Sequence, residues 1–196
     1  MEDKHKIDLC FRIIGKTIPV DHGFALYGSL SRVLPIFHEE DDVALKLIRG
    51  HYSGNGVLAL SPSSELVLRI PTDRITEYLQ FAGKSIEIMG HKVSIGVPMT
   101  HALVPAATLY AHLVTTKNGN NQARFEMEMR NQMDKMGVHG KATIGERRTF
   151  QVHGKQVVGY SLLVTELTAQ ESIMFQERGL GGRRKMGCGF FEVWRR

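Results

Sequence analysis

Between residues 179 and 189 the chain reads Gly-Leu-Gly-Gly-Arg-Arg-Lys-Met-Gly-Cys-Gly, five glycines around three consecutive cations. Glycine supplies only 20 of the 196 residues overall, so this density is local. Without a Cβ, Gly179, Gly181, Gly182, Gly187 and Gly189 can take positive φ and carry backbone N–H groups close to a ligand. Arg183, Arg184 and Lys185 add guanidinium forks and an ammonium suited to phosphate oxygens. The segment follows a helical stretch and leads into a strand. The nucleotide P-loop and the dinucleotide fingerprint instead follow a strand and open a helix, so neither fits. A tight turn alone would need glycine but not three adjacent cations.

The charge distribution supports a polyanionic ligand. The chain carries 25 Lys/Arg against 20 Asp/Glu. From Lys141 onward there are ten basic residues and five acidic ones, while residues 1–140 balance at fifteen each. The whole excess lies at the glycine-rich end, where counterion release would favour nucleic acid. Metal chemistry finds no support: His91, His101, His112, His139 and His153 show neither H-x-x-H nor H-E-x-x-H spacing. Cys10 and Cys188 lie far apart without a C-x-x-C pair, which fits a reducing interior. No metal and no cofactor are expected. The opening Met1-Glu2-Asp3-Lys4-His5-Lys6 is charged, unlike a signal peptide. The longest mostly apolar run, Ala102 to Val114, contains Pro105 and His112 and is too short to cross a bilayer. A cytoplasmic protein without membrane contact is expected.

The elements that must position the loop follow from periodicity. His5 to Ile14 alternates as a strand. Asp21 is the expected cap of a helix carrying Phe24, Tyr27, Leu30, Val33 and Leu34 on one side, stopped near Pro35. Val43 to Ile48 and Gly56 to Leu60 read as strands around a turn at 51–55, and Glu65 to Ile70 as another. Thr72 to Phe81 reads as a short helix with Ile75, Tyr78 and Leu79 inward. Lys84 to Met89 and Lys92 to Val97 form a hairpin around Gly90-His91. The second half reads as strand 108–115, a turn at 117–120, helix 121–136 closed by Gly137, and hairpin 142–152/156–163 around His153-Gly154. A helix capped by Thr168 then runs to about Arg178, and a last strand spans Gly187 to Trp194. Phe125, Met129, Met133 and Met136 form an inward side on the helix, where Met127 also lies. Each half gives βαββαβ, so the expected class is α+β with two tandem ferredoxin-like units, 1–98 and 106–196, joined across Pro98 to Pro105.

At this point the chain resembles a known family. The spacing G-x-G, a basic cluster, then G-x-G resembles the C-terminal glycine-rich loop of the RAMP superfamily. Within it, the chain resembles the CRISPR-associated Cas-six endoribonucleases, and the subtype called MYXAN in particular. Asp21-His22-Gly23 with Leu26-Tyr27, Glu65 to Pro71, Gly145-Glu146-Arg147-Arg148-Thr149 and Gln176-Glu177-Arg178 carry that likeness.

The resemblance implies cleavage of precursor CRISPR RNA without metal: the upstream 2′-hydroxyl attacks the scissile phosphate and leaves a 2′,3′-cyclic phosphate. Such chemistry needs a base, an acid and cations for the developing charge, and histidine suits proton transfer near neutrality. The family's histidine lies in or just after the first helix, which implies His38 first and His22 second, each with a surface or capping role as the alternative. Tyr27 resembles an assisting helix tyrosine, with a core aromatic as the alternative. Glu39, Glu40, Asp41 and Asp42 follow His38 where some members place a lysine, so the third catalytic role is unassigned. Arg147, Arg148 and Lys155 on the hairpin are the implied RNA-stem contacts, and the loop residues 179–189 named above the implied phosphate contacts. The implied partners are CRISPR repeat RNA and other CRISPR effector subunits. Two other readings stay open: a non-catalytic RNA-binding RAMP subunit, and a metabolic enzyme or regulator binding a phosphorylated small molecule.

Overall fold

The computed structural model describes residues 5–195. Residues 1–4, read above against a signal peptide, and Arg196 lie outside the described residues. Two compact units divide the chain at Ala102/Leu103.

In the first unit, β1 (Lys6–Gly15), β2 (Thr17–Pro19), α1 (Gly23–Val33), α2 (Ile36–Glu39), β3 (Ala44–Lys46), β4 (His51–Gly54), β5 (Val57–Ala59), β6 (Glu65–Pro71), α3 (Ile75–Tyr78), β7 (Ser85–Ile88) and β8 (His91–Ala102) follow in order. The main sheet runs β3-β6-β1-β8-β7, all neighbours antiparallel. This is the ferredoxin-like arrangement, with β7 as an extra edge. Leu9, Phe11 and Ile13 alternate inward from β1 and join Leu26 and Leu30 of α1 and Phe37 of α2 in one buried core.

The second unit comprises β9 (Leu109–Thr115), α4 (Gln122–Lys135), β10 (Lys141–Val152), β11 (Lys155–Thr165), α5 (Ala169–Arg178) and β12 (Glu192–Val193). Its sheet order is β10-β11-β9-β12, again antiparallel. Phe125, Met129 and Met133 of α4 are buried, Met136 packs against them, and Met127 points out. Helix α5 opens on a full capping box between Thr168 and Glu171.

Several local expectations need correction. Helix α1 begins after His22, and no side chain caps it, so Asp21 is not the cap. The expected turn at 51–55 is mostly β4, which pairs with β5; together with β2 these strands form a separate three-stranded sheet. The helix expected over 72–81 is one α turn between two 3-10 turns, and Leu79 is exposed while Phe81 takes the inward place. Strand β8 continues through Pro98 to Ala102. The pairing with β1 shifts between Phe11 and Ile13, so Gly96 and Val97 oppose Arg12. A proline is tolerated beside such a bulge. The last strand shrinks to Glu192–Val193, because Gly187 and Gly189 take positive φ and leave the ladder.

Candidate active site and nucleic-acid interface

Leu34 and Pro35 separate α1 from the single turn of α2, and that turn is held by His38 N–H to Pro35 O (2.9 Å) and Glu40 N–H to Ile36 O (3.0 Å). Phe37 anchors the turn. It is fully buried and meets Tyr78 and Phe81 edge-on at ring-centroid distances of 6.4 and 6.3 Å. With Phe37 inward, the next residue, His38, is carried to the exposed side. There its Nδ1 lies 2.6 Å from the Tyr27 hydroxyl, with the rings stacked at 5.9 Å and 29°. The kink thus joins half-buried Tyr27 to exposed His38, eleven residues apart, as one pair.

The acidic run beside His38 is partly compensated. Glu40 pairs with Arg74 at 3.4 Å, and Asp42 accepts from Lys6. Glu39 and Asp41 are exposed.

His22 is a different kind of histidine. It is 1% exposed, and its Nδ1 faces Pro19 O at 2.9 Å and Val20 O at 3.1 Å. Ile48 N–H donates to its Nε2 at 3.0 Å. Two carbonyls at Nδ1 and a donor at Nε2 require the neutral Nδ1–H tautomer. Burial holds its pKa below the ordinary histidine value, and the two carbonyls only partly offset this. Both ring nitrogens are committed to backbone.

In the second unit, the glycine-rich loop lies along β9. Gly179 closes α5 with φ +64°. Gly181 N–H donates to Gln132 Oε1 on α4 (2.9 Å), Gly182 N–H to Thr115 O (3.0 Å) and Gly189 N–H to Leu113 O (2.7 Å). A Cβ on Gly179 would stand 2.4 Å from Gly189 O, one on Gly181 2.4 Å from Thr115 O, and one on Gly189 2.1 Å from Leu180 O. These glycines therefore let the two limbs of the loop press on each other and on β9. Gly179, Gly187 and Gly189 are buried, only Gly182 of this set is exposed, and the N–H groups of all five donate within the protein. Leu180 and Cys188, both buried, pin the limbs. Burial raises the Cys188 thiol pKa to about 12, so it packs as a neutral group.

Between the limbs, Arg183 takes the left-handed conformation (φ +59°) and is exposed. Arg184 and Lys185 are half-buried, and Arg184 Nη2 donates to Glu177 O (2.9 Å) near the end of α5. On the hairpin, Arg147 and Lys155 are exposed, whereas Arg148 is half-buried and donates to Glu146 (2.6 Å). A register shift between Ile144 and Arg147 turns this stretch of β10. His153 and Gly154, both at positive φ, form the tip beside Lys155. Among the described residues, no three His, Cys, Asp or Glu side chains converge to hold a metal, and no helix is long and apolar enough to cross a membrane.

Residues 7–195 match a family model described as "Cas6 Crispr". This chain belongs to the Cas6 family. A relative described as "CRISPR-associated endonuclease Cas6", from Myxococcus xanthus (strain DK1622), is 37% identical over 185 residues, spanning 94% of this chain and 80% of the relative. Two solved structures share the Cas6 fold at low identity. One, a "CRISPR associated protein Cas6", has a TM-score of 0.67 at 9% identity and covers 97% of this chain and 99% of its own. The other, "An RAMP protein binding different RNA substrates", has a TM-score of 0.66 at 12% identity over 97% and 100%.

Gln132 escaped the sequence reading: a polar residue on a surface helix gives no sign that it receives a loop N–H. A second omission, the Tyr110–Trp194 ring pair (centroids 5.0 Å apart), joins the start of β9 to the residue after β12.

Proposed function

We propose that this Cas6-family chain binds CRISPR repeat RNA and cuts the precursor transcript by attack of a 2′-hydroxyl on the adjacent phosphate, without a metal ion. The pairing of exposed His38 with half-buried Tyr27 carries this reading. In the base form, His38 Nδ1–H donates to Tyr27 Oη, which fixes the ring and its tautomer and makes Nε2 the atom that takes the 2′-proton. The Tyr27 hydroxyl can then turn its own proton toward a phosphate oxygen, where charge grows as the phosphorane forms. The 2′-oxygen–phosphorus bond forms and the phosphorus–5′-oxygen bond breaks, the leaving 5′-oxygen takes a proton from solvent water, and the products are a 2′,3′-cyclic phosphate and a 5′-hydroxyl. His22 serves as a latch between the start of α1 and Ile48, since a proton on Nε2 would cost it the Ile48 bond.

Substrate grip falls to the second unit. Arg183 and Lys185 are the direct phosphate contacts, and Arg147 and Lys155 read the stem through its backbone. Gly179, Gly181, Gly187 and Gly189 shape the loop, and Arg184 braces it on α5. We place the protein in the cytoplasm, where its RNA is made.

The test is incubation of end-labelled repeat RNA with the protein in excess EDTA, followed by end-group analysis. One cut leaving a cyclic phosphate is expected, and none with a 2′-deoxy nucleotide at the scissile position. Tight binding without cleavage would replace the nuclease by a non-catalytic RNA-binding subunit.

A further inference from the structure

The sheet of the second unit has one face against its helices and one without them. On β9, Leu109 and Ala111 enter the core with Phe125 of α4 and Phe175 of α5. Alternation therefore turns Tyr110 and His112 to the other face, and His112 is exposed there. Tyr110 stands opposite Leu163 of β11 and Glu192 of β12. Val193 packs on the helix side, and Trp194, one residue on, comes over Tyr110 with ring centroids 5.0 Å apart at 51°. The chain's single tryptophan is thus 44% exposed. Trp194 N–H donates to Thr108 O (3.2 Å), so its backbone continues the β9 alignment.

We infer that Tyr110 and Trp194 form a stacking platform for an unpaired base of the bound RNA, a subsite separate from the phosphate contacts of the loop; it rests on the RNA-binding reading above. A partly exposed indole ring on the helix-free face offers what a splayed-out base needs: a flat, polarisable, desolvatable surface. The surroundings suit a nucleotide better than a protein. Glu192 and His112 bring hydrogen-bonding groups to the rim rather than extending an apolar patch, and a lone aromatic pair is far smaller than a stable protein interface. The sign of the charge agrees. The unit carries fourteen Lys/Arg against eight Asp/Glu, and Lys141, exposed at the start of β10, lies on the same face by alternation through Thr143, the partner of Leu163.

Because Trp194 is the only tryptophan, its emission reports this subsite alone. The experiment titrates the full chain with repeat RNA carrying a single-stranded flank, and separately with the stem alone, following RNA anisotropy and tryptophan emission together in a non-cleavable 2′-deoxy substrate. Flanked RNA should quench Trp194 with the same midpoint as the anisotropy, while the stem alone should bind with little quenching. Trp194→Ala should weaken flanked RNA about 5- to 150-fold, the range for loss of one stacked base, and leave stem affinity unchanged. Trp194→Phe should restore most of the loss. Anisotropy that reports binding with unchanged emission, or a Trp194→Ala protein that holds flanked RNA as wild type does, would overturn the platform and spare the RNA reading. An absence of binding in anisotropy would overturn both.

Discussion

The two units share a strand order and differ in what they have done with it. The first holds eleven Lys/Arg against twelve Asp/Glu and places an exposed histidine on a one-turn helix; the second holds fourteen against eight and places a basic loop beside its first strand. Near-neutrality leaves the first with acidic groups paired off around His38, through Glu40–Arg74 and Asp42–Lys6. The second carries the charge that would hold a polyanion. Under the function proposed above, labour is divided: proton transfer falls to the first unit and grip to the second. This division can be broken by showing that changes in either unit move both properties alike.

The largest separate effect expected in the first unit comes from Phe37→Ala. Removing this buried ring should cost about 3–5 kcal/mol of stability and release the turn that presents His38, so thermal unfolding and cleavage should fall together. In the second unit, Gly189→Ala puts a Cβ 2.1 Å from Leu180 O at φ +65°. The strain, about 1–3 kcal/mol, should open the loop and weaken RNA binding by roughly tenfold or more, while the cleavage rate of bound RNA stays near wild type. Arg183→Ala with Lys185→Ala should lower affinity at low salt and reduce the slope of log K against log salt by about 2, read from binding at several salt concentrations.

Acid should also divide the units. Burial lowers the His22 pKa below its ordinary 6.5, so the unfolded chain takes up this proton more readily than the folded one. The stabilisation from neutral His22 is complete above about pH 6.5 and declines as the pH falls below it. Glu171 accepts from His139 N–H, Thr168 N–H and Thr168 Oγ, which lowers its pKa to about 2 from 4.5. Its contribution is complete above about pH 4.5 and is lost only between there and about pH 2. Hydrogen exchange at pH 5.5, corrected for intrinsic rates, should show loosening around α1 and Ile48 and none at the start of α5. Equal loosening in both would contradict the assignment.

Much of the second unit was legible because its signals are local: Thr168 caps α5, Gly137 follows the end of α4, and His153-Gly154 makes the hairpin tip. The basic cluster was legible for the same reason. The task of the glycines was not, since the backbone they meet at Thr115 and Leu113 lies more than sixty residues away in the chain. The resemblance ranked His38 ahead of His22, but the residues themselves gave no physical reason for the order. The partners of His22 are the backbone groups of Pro19, Val20 and Ile48, which leave no side-chain signature. What picks out His38 is the buried Phe37 beside it and the Tyr27 hydroxyl across the kink.

The most direct measurement is single-turnover cleavage of saturating-bound repeat RNA in EDTA by wild type, His38→Ala and His22→Gln. His38→Ala should bind RNA with wild-type affinity and cleave about 10²- to 10⁴-fold more slowly, whereas His22→Gln should lose stability and retain a cleavage rate within about tenfold. A His38→Ala protein that cleaves as fast as wild type would contradict the role proposed for His38.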